Sequence, residues 1–135
     1  MKVLIYVCVI DDEGFVINDN NKDKQFLCKI GKILEDNYRN SDFNVSRFVE
    51  LSEMRRTIFF RRVRRATGSS PSELLKKKRL SESVVLLTQD ELNISEIAYK
   101  VGFDDPYYFS KCFKDYFNYS PTEYRKKLIG NYMIN

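Results

Sequence analysis

No histidine occurs anywhere in the 135 residues. Its absence removes the commonest general base, the commonest metal ligand and any phosphate-accepting imidazole, which weakens every enzymatic reading at the outset. Cysteine is scarce: Cys8, Cys28 and Cys112 are odd in number and widely spaced, fitting neither a disulfide framework nor a zinc site of the CxxC kind. A reducing cytoplasm is the natural reading. Long hydrophobic runs are missing as well. Val3 to Ile10 is too short to span a bilayer, and the acidic Asp11-Asp12-Glu13 behind it makes a poor signal peptide. The absences together predict a soluble, unexported chain with no catalytic residues, no metal site and no cofactor.

What is present suffices for one core. Hydrophobic residues make up 43% of the chain and aromatics 14%, enough apolar area to offset the entropy of ordering a domain of this length. The net charge of +4 is mild, but its distribution is uneven. Between Arg55 and Arg79 stand ten basic residues against one acid, Glu73, which leaves the rest of the chain net acidic. Such crowding is self-repulsive unless a polyanion neutralises it.

Residues 1–22 are read as an N-terminal extension. Its apolar stretches Val7 to Ile10 and Phe15 to Ile17, around Gly14, predict a short β-hairpin. MKVLIYVCVIDDE resembles the first strand and acidic pocket of receiver domains, but a receiver continues in alternating strands and helices, and here a helical pattern follows at once. From Asp23 onward Phe26, Leu27, Ile30, Ile33, Leu34 and Tyr38 recur at three and four, the period of one buried helix face, until Asn40-Ser41-Asp42 ends it. Further helices are predicted near 45–52, 55–66, 71–88, 94–101, 106–117 and 121–129, which makes residues 23–135 an all-α fold of about seven helices.

Helix starts are strongly marked, because orphan amides at a helix N-terminus want a side-chain oxygen and a returning carboxylate. Ser70-Pro71-Ser72-Glu73, Asn93-Ile94-Ser95-Glu96 and Ser120-Pro121-Thr122-Glu123 supply both, and Asp105-Pro106 marks a fourth start. Gly68, Gly102 and Asn118 stand where left-handed residues close helices.

The chain also repeats itself. Phe59, Val63, Gly68, Ser70, Pro71 and Glu73 recur 50 residues later as Phe109, Phe113, Asn118, Ser120, Pro121 and Glu123. Upstream, Val45, Phe48 and Val49 match Ile94, Ile97 and Ala98 at an offset of 49. Each unit reads as a short helix, a tight turn and a longer helix: a helix-turn-helix, first at about 43–68 and again at about 93–118, with a long joining helix at 71–88. In the first long helix Ile58, Phe59, Val63 and Ala66 have inward spacing, leaving Arg56, Thr57, Phe60, Arg61 and Arg64 outside, with Phe60 equally suited to meet a thymine methyl or to pack under a neighbouring helix. In the second, Tyr108, Phe109, Cys112, Phe113, Tyr116 and Phe117 form the inward stripe, while Tyr107, Ser110, Lys111 and Lys114 point out. Lys76-Lys77-Lys78-Arg79 on the joining helix reads as a solvated face.

RRTIFFRRVRRATGSSPSELL, RLSESVVLL and NISEIAYKVGFDDPYYFSKCFKDYFNYSPTEYR closely resemble the C-terminal domain of AraC/XylS-type transcription regulators, most of all the DNA-binding tail of hybrid two-component regulators. The resemblance covers about residues 43–125 and implies two helix-turn-helix subdomains that read neighbouring major-groove segments of double-stranded DNA. Carried over by position, it implies base contacts by Thr57, Phe60, Arg61, Tyr107, Ser110 and Lys111, with Arg56 assisting. Phosphate contacts are expected from Arg55, Arg62, Arg64 and Lys114 and from the helix starts at Asn93 and Ser120. Implied partners are RNA polymerase and the sensor or receiver domains of a larger regulator. Three residues depart from the family pattern: Glu53 replaces the glycine of the first turn, Val49 an alanine, and Arg55 a serine cap. A degenerate protein-interaction module using exposed Phe60 and Tyr107 is the competing reading.

Overall fold

The computed structural model describes residues 21–134, with side chains from 22 to 130, together with the paired backbone of Val3–Leu4 (β1) and Val9–Ile10 (β2). Val3 pairs with Ile10 and Leu4 with Val9, antiparallel. The described pairing thus lies earlier in the chain than the sequence suggests, and the expected partner stretch Phe15 to Ile17 lies outside the described residues.

Among the described residues seven helices follow: α1 (Asn21–Asn37), α2 (Val45–Ser52), α3 (Arg56–Thr67), α4 (Pro71–Leu87), α5 (Ile94–Lys100), α6 (Pro106–Phe117) and α7 (Pro121–Ile134). The cap chemistry accounts for their starts. Asn93 accepts the Glu96 amide at 2.8 Å while Glu96 returns a carboxylate to the Asn93 amide at 3.3 Å, a closed capping box. Ser120 and Glu123 repeat it at 3.1 and 3.2 Å. Ser70 accepts the Glu73 amide and donates its hydroxyl to the Glu73 carboxylate. Asp105 caps α6 through the Tyr107 amide, with proline at the first helical position. The stops are left-handed: Gly68 at φ 76° closes α3 and Asn118 at φ 69° closes α6.

The chain divides into two compact units. The first takes α1 through Tyr38 and Phe43–Lys78; the second takes Arg39–Asp42 and the chain from Arg79. In the first, Phe26, Leu27, Ile30 and Leu34 of α1 are buried with Phe48, Phe59 and Val63. Phe59 stands edge-on to both Phe48 (centroids 5.0 Å apart) and Phe26 (6.3 Å), a geometry that aligns ring edges with ring faces and adds to simple area burial. The second unit is built likewise around Ile97, Phe109 and Phe113, all fully buried, with Phe103 5.2 Å from Phe109 and Tyr124 5.4 Å from Phe113. Cys112 is buried there as small apolar filling. Arg125 of α7 donates to the carbonyls of Leu87, the last residue of α4, and of Gln89 just beyond it.

α4 crosses from one unit to the other, and its burial changes face on the way. Leu74, Leu75 and Lys78 are buried in its first half, Leu80, Ser83 and Leu87 in its second. One continuous helix thereby contributes to two cores. Among the described residues no helix is long and apolar enough to cross a membrane.

Candidate nucleic-acid interface

Each unit sets a short helix before a longer one across a tight turn: α2, Glu53–Arg55 and α3 in the first, α5, Val101–Asp105 and α6 in the second. Phe59 and Val63 anchor α3 to its core with no exposed surface, and Phe109 and Phe113 do the same for α6. A helix turns about 100° per residue, so fixing those positions aims Thr57 and Arg61 away from the first core. Tyr107 and Lys111 are aimed away from the second in the same manner. All four are exposed, and Tyr107 is 83% exposed.

The arginines of α3 divide into distinct roles. Arg61 projects freely from the outer face. Arg65, which sequence reasoning did not single out, shares that side and reaches Asp23 at 3.9 Å while 76% of its side chain stays exposed. Arg56 is exposed and lies 4.8 Å from the Phe60 ring centroid. Arg64 turns back to donate to the Gly68 carbonyl at 3.0 Å and to meet Glu73 at 3.8 Å. Arg62 is half-buried and stacks 4.3 Å over Phe26, in a cleft of about 290 Å³ that it lines with Lys22, Gln25, Phe26, Lys29 and Met54.

Several expectations change. Ile58, assigned inward, is 40% exposed on the outer face, because it sits about 100° around the helix from Phe59. Tyr108 and Tyr116, also assigned inward, are 46% and 47% exposed. Phe60, whose spacing left both an outward and a packed position open, is half-buried against Phe59 at 6.4 Å. Ser110 is half-buried beside exposed Lys111. Asn93 and Ser120 have spent their capping groups within the chain: each backbone amide is held by its own glutamate, at 3.3 and 3.2 Å, which also places negative charge at the helix start.

The run Lys76 to Arg79 is not a solvated face. Lys77 donates to Ser69 Oγ at 2.8 Å and Arg79 to the Asn40 carbonyl at 3.0 Å. Lys78 is buried and ion-paired with Glu35. Burial pushes the Arg79 guanidinium below its ordinary pKa, with Asp104 opposing.

The departures from family pattern have visible consequences. Glu53 adopts φ 61°, the left-handed conformation that glycine takes freely. Arg55 stands at the N-cap of α3 with no side-chain hydrogen bond to the helix. No acid interrupts the five arginines of α3, whereas α6 carries two lysines and one aspartate. Positive charge is concentrated on the first unit, regular helix starts on the second.

Comparison with known proteins gives this arrangement a family. A family described as a helix-turn-helix domain matches residues 49–127. The chain is 40% identical over 105 residues to histidine kinase P4 of Formosa agariphila, a match covering 78% of this chain and 8% of that protein. Among solved structures, the C-terminal domain of the two-component response regulator yesN from Fusobacterium nucleatum superposes with a TM-score of 0.67 at 32% identity, over 71% of this chain and 93% of that one. The DNA-binding domain of AdpA, solved with a target DNA, gives 0.69 at 26% identity over 76% of this chain and 95% of that one. The chain spans less than half the length of the first curated relatives it matches. From the repeated α2–α3 and α5–α6 pairs to these matches, the conclusion is that the chain belongs to the AraC-type helix-turn-helix family of transcription regulators.

Proposed function

We propose that this chain binds double-stranded DNA in a sequence-specific manner, placing α3 and α6 in successive major-groove segments to regulate transcription, most simply as a cytoplasmic activator. One observation carries the reading. Thr57 and Arg61 on α3 occupy the same repeat positions as Tyr107 and Lys111 on α6, and all four are exposed on helices whose opposite sides are locked into aromatic cores. Arg61 is suited to pair bidentately with a guanine edge and Lys111 to reach a purine acceptor. Thr57 and Tyr107 flank them, with Arg56 at the start of α3 and Ser110 beside Lys111. Arg55, Arg64 and Lys114 supply phosphate contacts that set register without reading sequence. Arg62, stacked on Phe26, stands apart from the base readers.

The chain's similarity to a histidine kinase and to the C-terminal domain of a response regulator supports a role alongside sensor or receiver domains. RNA polymerase is the partner expected of an activator.

The test begins with selection of bound sites from random duplex DNA. Two separate half-sites about 10 base pairs apart are the expected outcome. On the selected site Arg61→Ala should cost about 1–3 kcal/mol and relax sequence choice at one position, while Lys114→Ala weakens every duplex alike and lowers the salt slope by about one. Equal losses for both variants on selected and random DNA would sink the assignment. Binding that ignores salt would favour a protein-interaction module instead.

A further inference from the structure

The outer face of α3 holds one apolar side chain. Phe59 and Val63 have no exposed surface and so define the buried side of the helix. At about 100° per residue, Ile58 lies about 140° from Val63 and only about 60° from Arg61, and it is 40% exposed. Phe60 sits on the opposite flank, with Arg56 over its ring and Phe59 at its edge. A β-branched residue is a slightly poorer helix former than lysine or glutamine, and at 40% exposure Ile58 gives up part of the burial that would compensate.

We propose that Ile58 is a specificity-determining residue that reads the C5 methyl group of a thymine beside the base pair met by Arg61. The inference rests on the DNA-binding reading above and adds a base to it. Thymine is the one base that presents a methyl group in the major groove, and an aliphatic branch is its natural contact. The second unit does not duplicate the device. Tyr108 occupies the matching repeat position and is 46% exposed, but it is aromatic, with its ring 6.1 Å from Phe103, and offers no aliphatic branch. Methyl reading therefore belongs to the half-site under α3.

Uracil substitution isolates the methyl group, since it deletes that group and leaves every hydrogen-bonding edge intact. With the full chain on its selected duplex, each thymine is replaced in turn by uracil and binding is measured by fluorescence anisotropy. One replacement in the α3 half-site should weaken the wild-type protein about fourfold, the value of one buried methyl-sized group. Ile58→Ala should lose about the same factor on the thymine duplex and become indifferent to uracil at that position, while Ile58→Val retains most of the sensitivity. Circular dichroism melting should show both variants folded, with Ile58→Ala melting somewhat below the parent because part of the side chain rests on the fold, and binding is compared per folded molecule.

Sequence-dependent binding with uracil penalties unchanged by Ile58→Ala overturns the methyl proposal and leaves the DNA reading standing. So does the lack of any penalised thymine in that half-site. Failure to bind any duplex in a sequence-dependent way overturns both.

Discussion

Lys78 Nζ lies 2.6 Å from Glu35 Oε2 and 5.2 Å from the centre of the Tyr38 ring, with 6% of the lysine side chain exposed. A charge so enclosed is tolerable only because a carboxylate and an aromatic face replace its water. The pair ties α4 to α1 within the first unit, and it takes the middle of the most basic run in the chain out of contention for phosphate.

Deleting one partner is therefore the sharper perturbation. Lys78→Met should lower unfolding free energy in urea by about 2 kcal/mol, less than the ~3–5 expected for a sealed pair because Glu35 retains 35% side-chain exposure. Adding Glu35→Leu should recover most of that loss. DNA affinity per folded molecule should not change. A loss of affinity without a loss of stability would mean that Lys78 leaves its pocket to meet a phosphate.

The first turn is strained where the second is not. Glu53 holds φ 61°, and a side chain in that region costs about 1–2 kcal/mol, part of which glycine would return as unfolded-state entropy. Glu53→Gly should stabilise the chain by about 0.5–1 kcal/mol. Asn118→Gly, at φ 69°, should change it little, since asparagine tolerates the conformation. Equal gains from the two would show that Glu53 is not specially strained.

Glu123 offers a pH signature. The Ser120 hydroxyl and then its backbone amide hold the Glu123 carboxyl below the usual carboxylate range, with Lys114 and Lys126 adding to the shift. A carboxyl depressed in the folded state contributes stability above its unfolded pKa and loses it as pH falls through the folded one. Carboxyl carbon NMR should show Glu123 titrating below an unpaired glutamate, and Ser120→Ala should move it back up. An unchanged midpoint in Ser120→Ala would remove the Ser120 hydroxyl as the cause.

The helix boundaries were legible because caps are local chemistry: Asn93 with Glu96, or Ser120 with Glu123, needs nothing beyond its own four residues to declare a start. The repeat was legible for the same reason. Side-chain destinations on the recognition helices were less so. Ile58 and Tyr108 were assigned inward by their apolarity, yet apolar residues are common on surfaces, and the helix can aim only so many positions at one core. Lys78 failed in the other direction: a lysine run reads as solvated until α4 is seen to change its buried face between Lys78 and Leu80. Both errors come from tertiary packing overriding a residue's own preference.

Arg55 sets local stability against function most openly. It occupies the N-cap of α3 without capping it, and with Arg56 it puts positive charge at the positive end of the helix dipole. A serine there would accept an orphan amide and should stabilise the chain by about 1 kcal/mol. Neither feature helps the helix, whereas a polyanion at the same place would turn both to advantage. Arg55→Ser should therefore raise the urea midpoint while weakening selected and random DNA by the same factor and lowering the salt slope by about one. If stability rises and the salt slope stays fixed, Arg55 contacts no phosphate, and the positive end of α3 must be explained by something other than DNA.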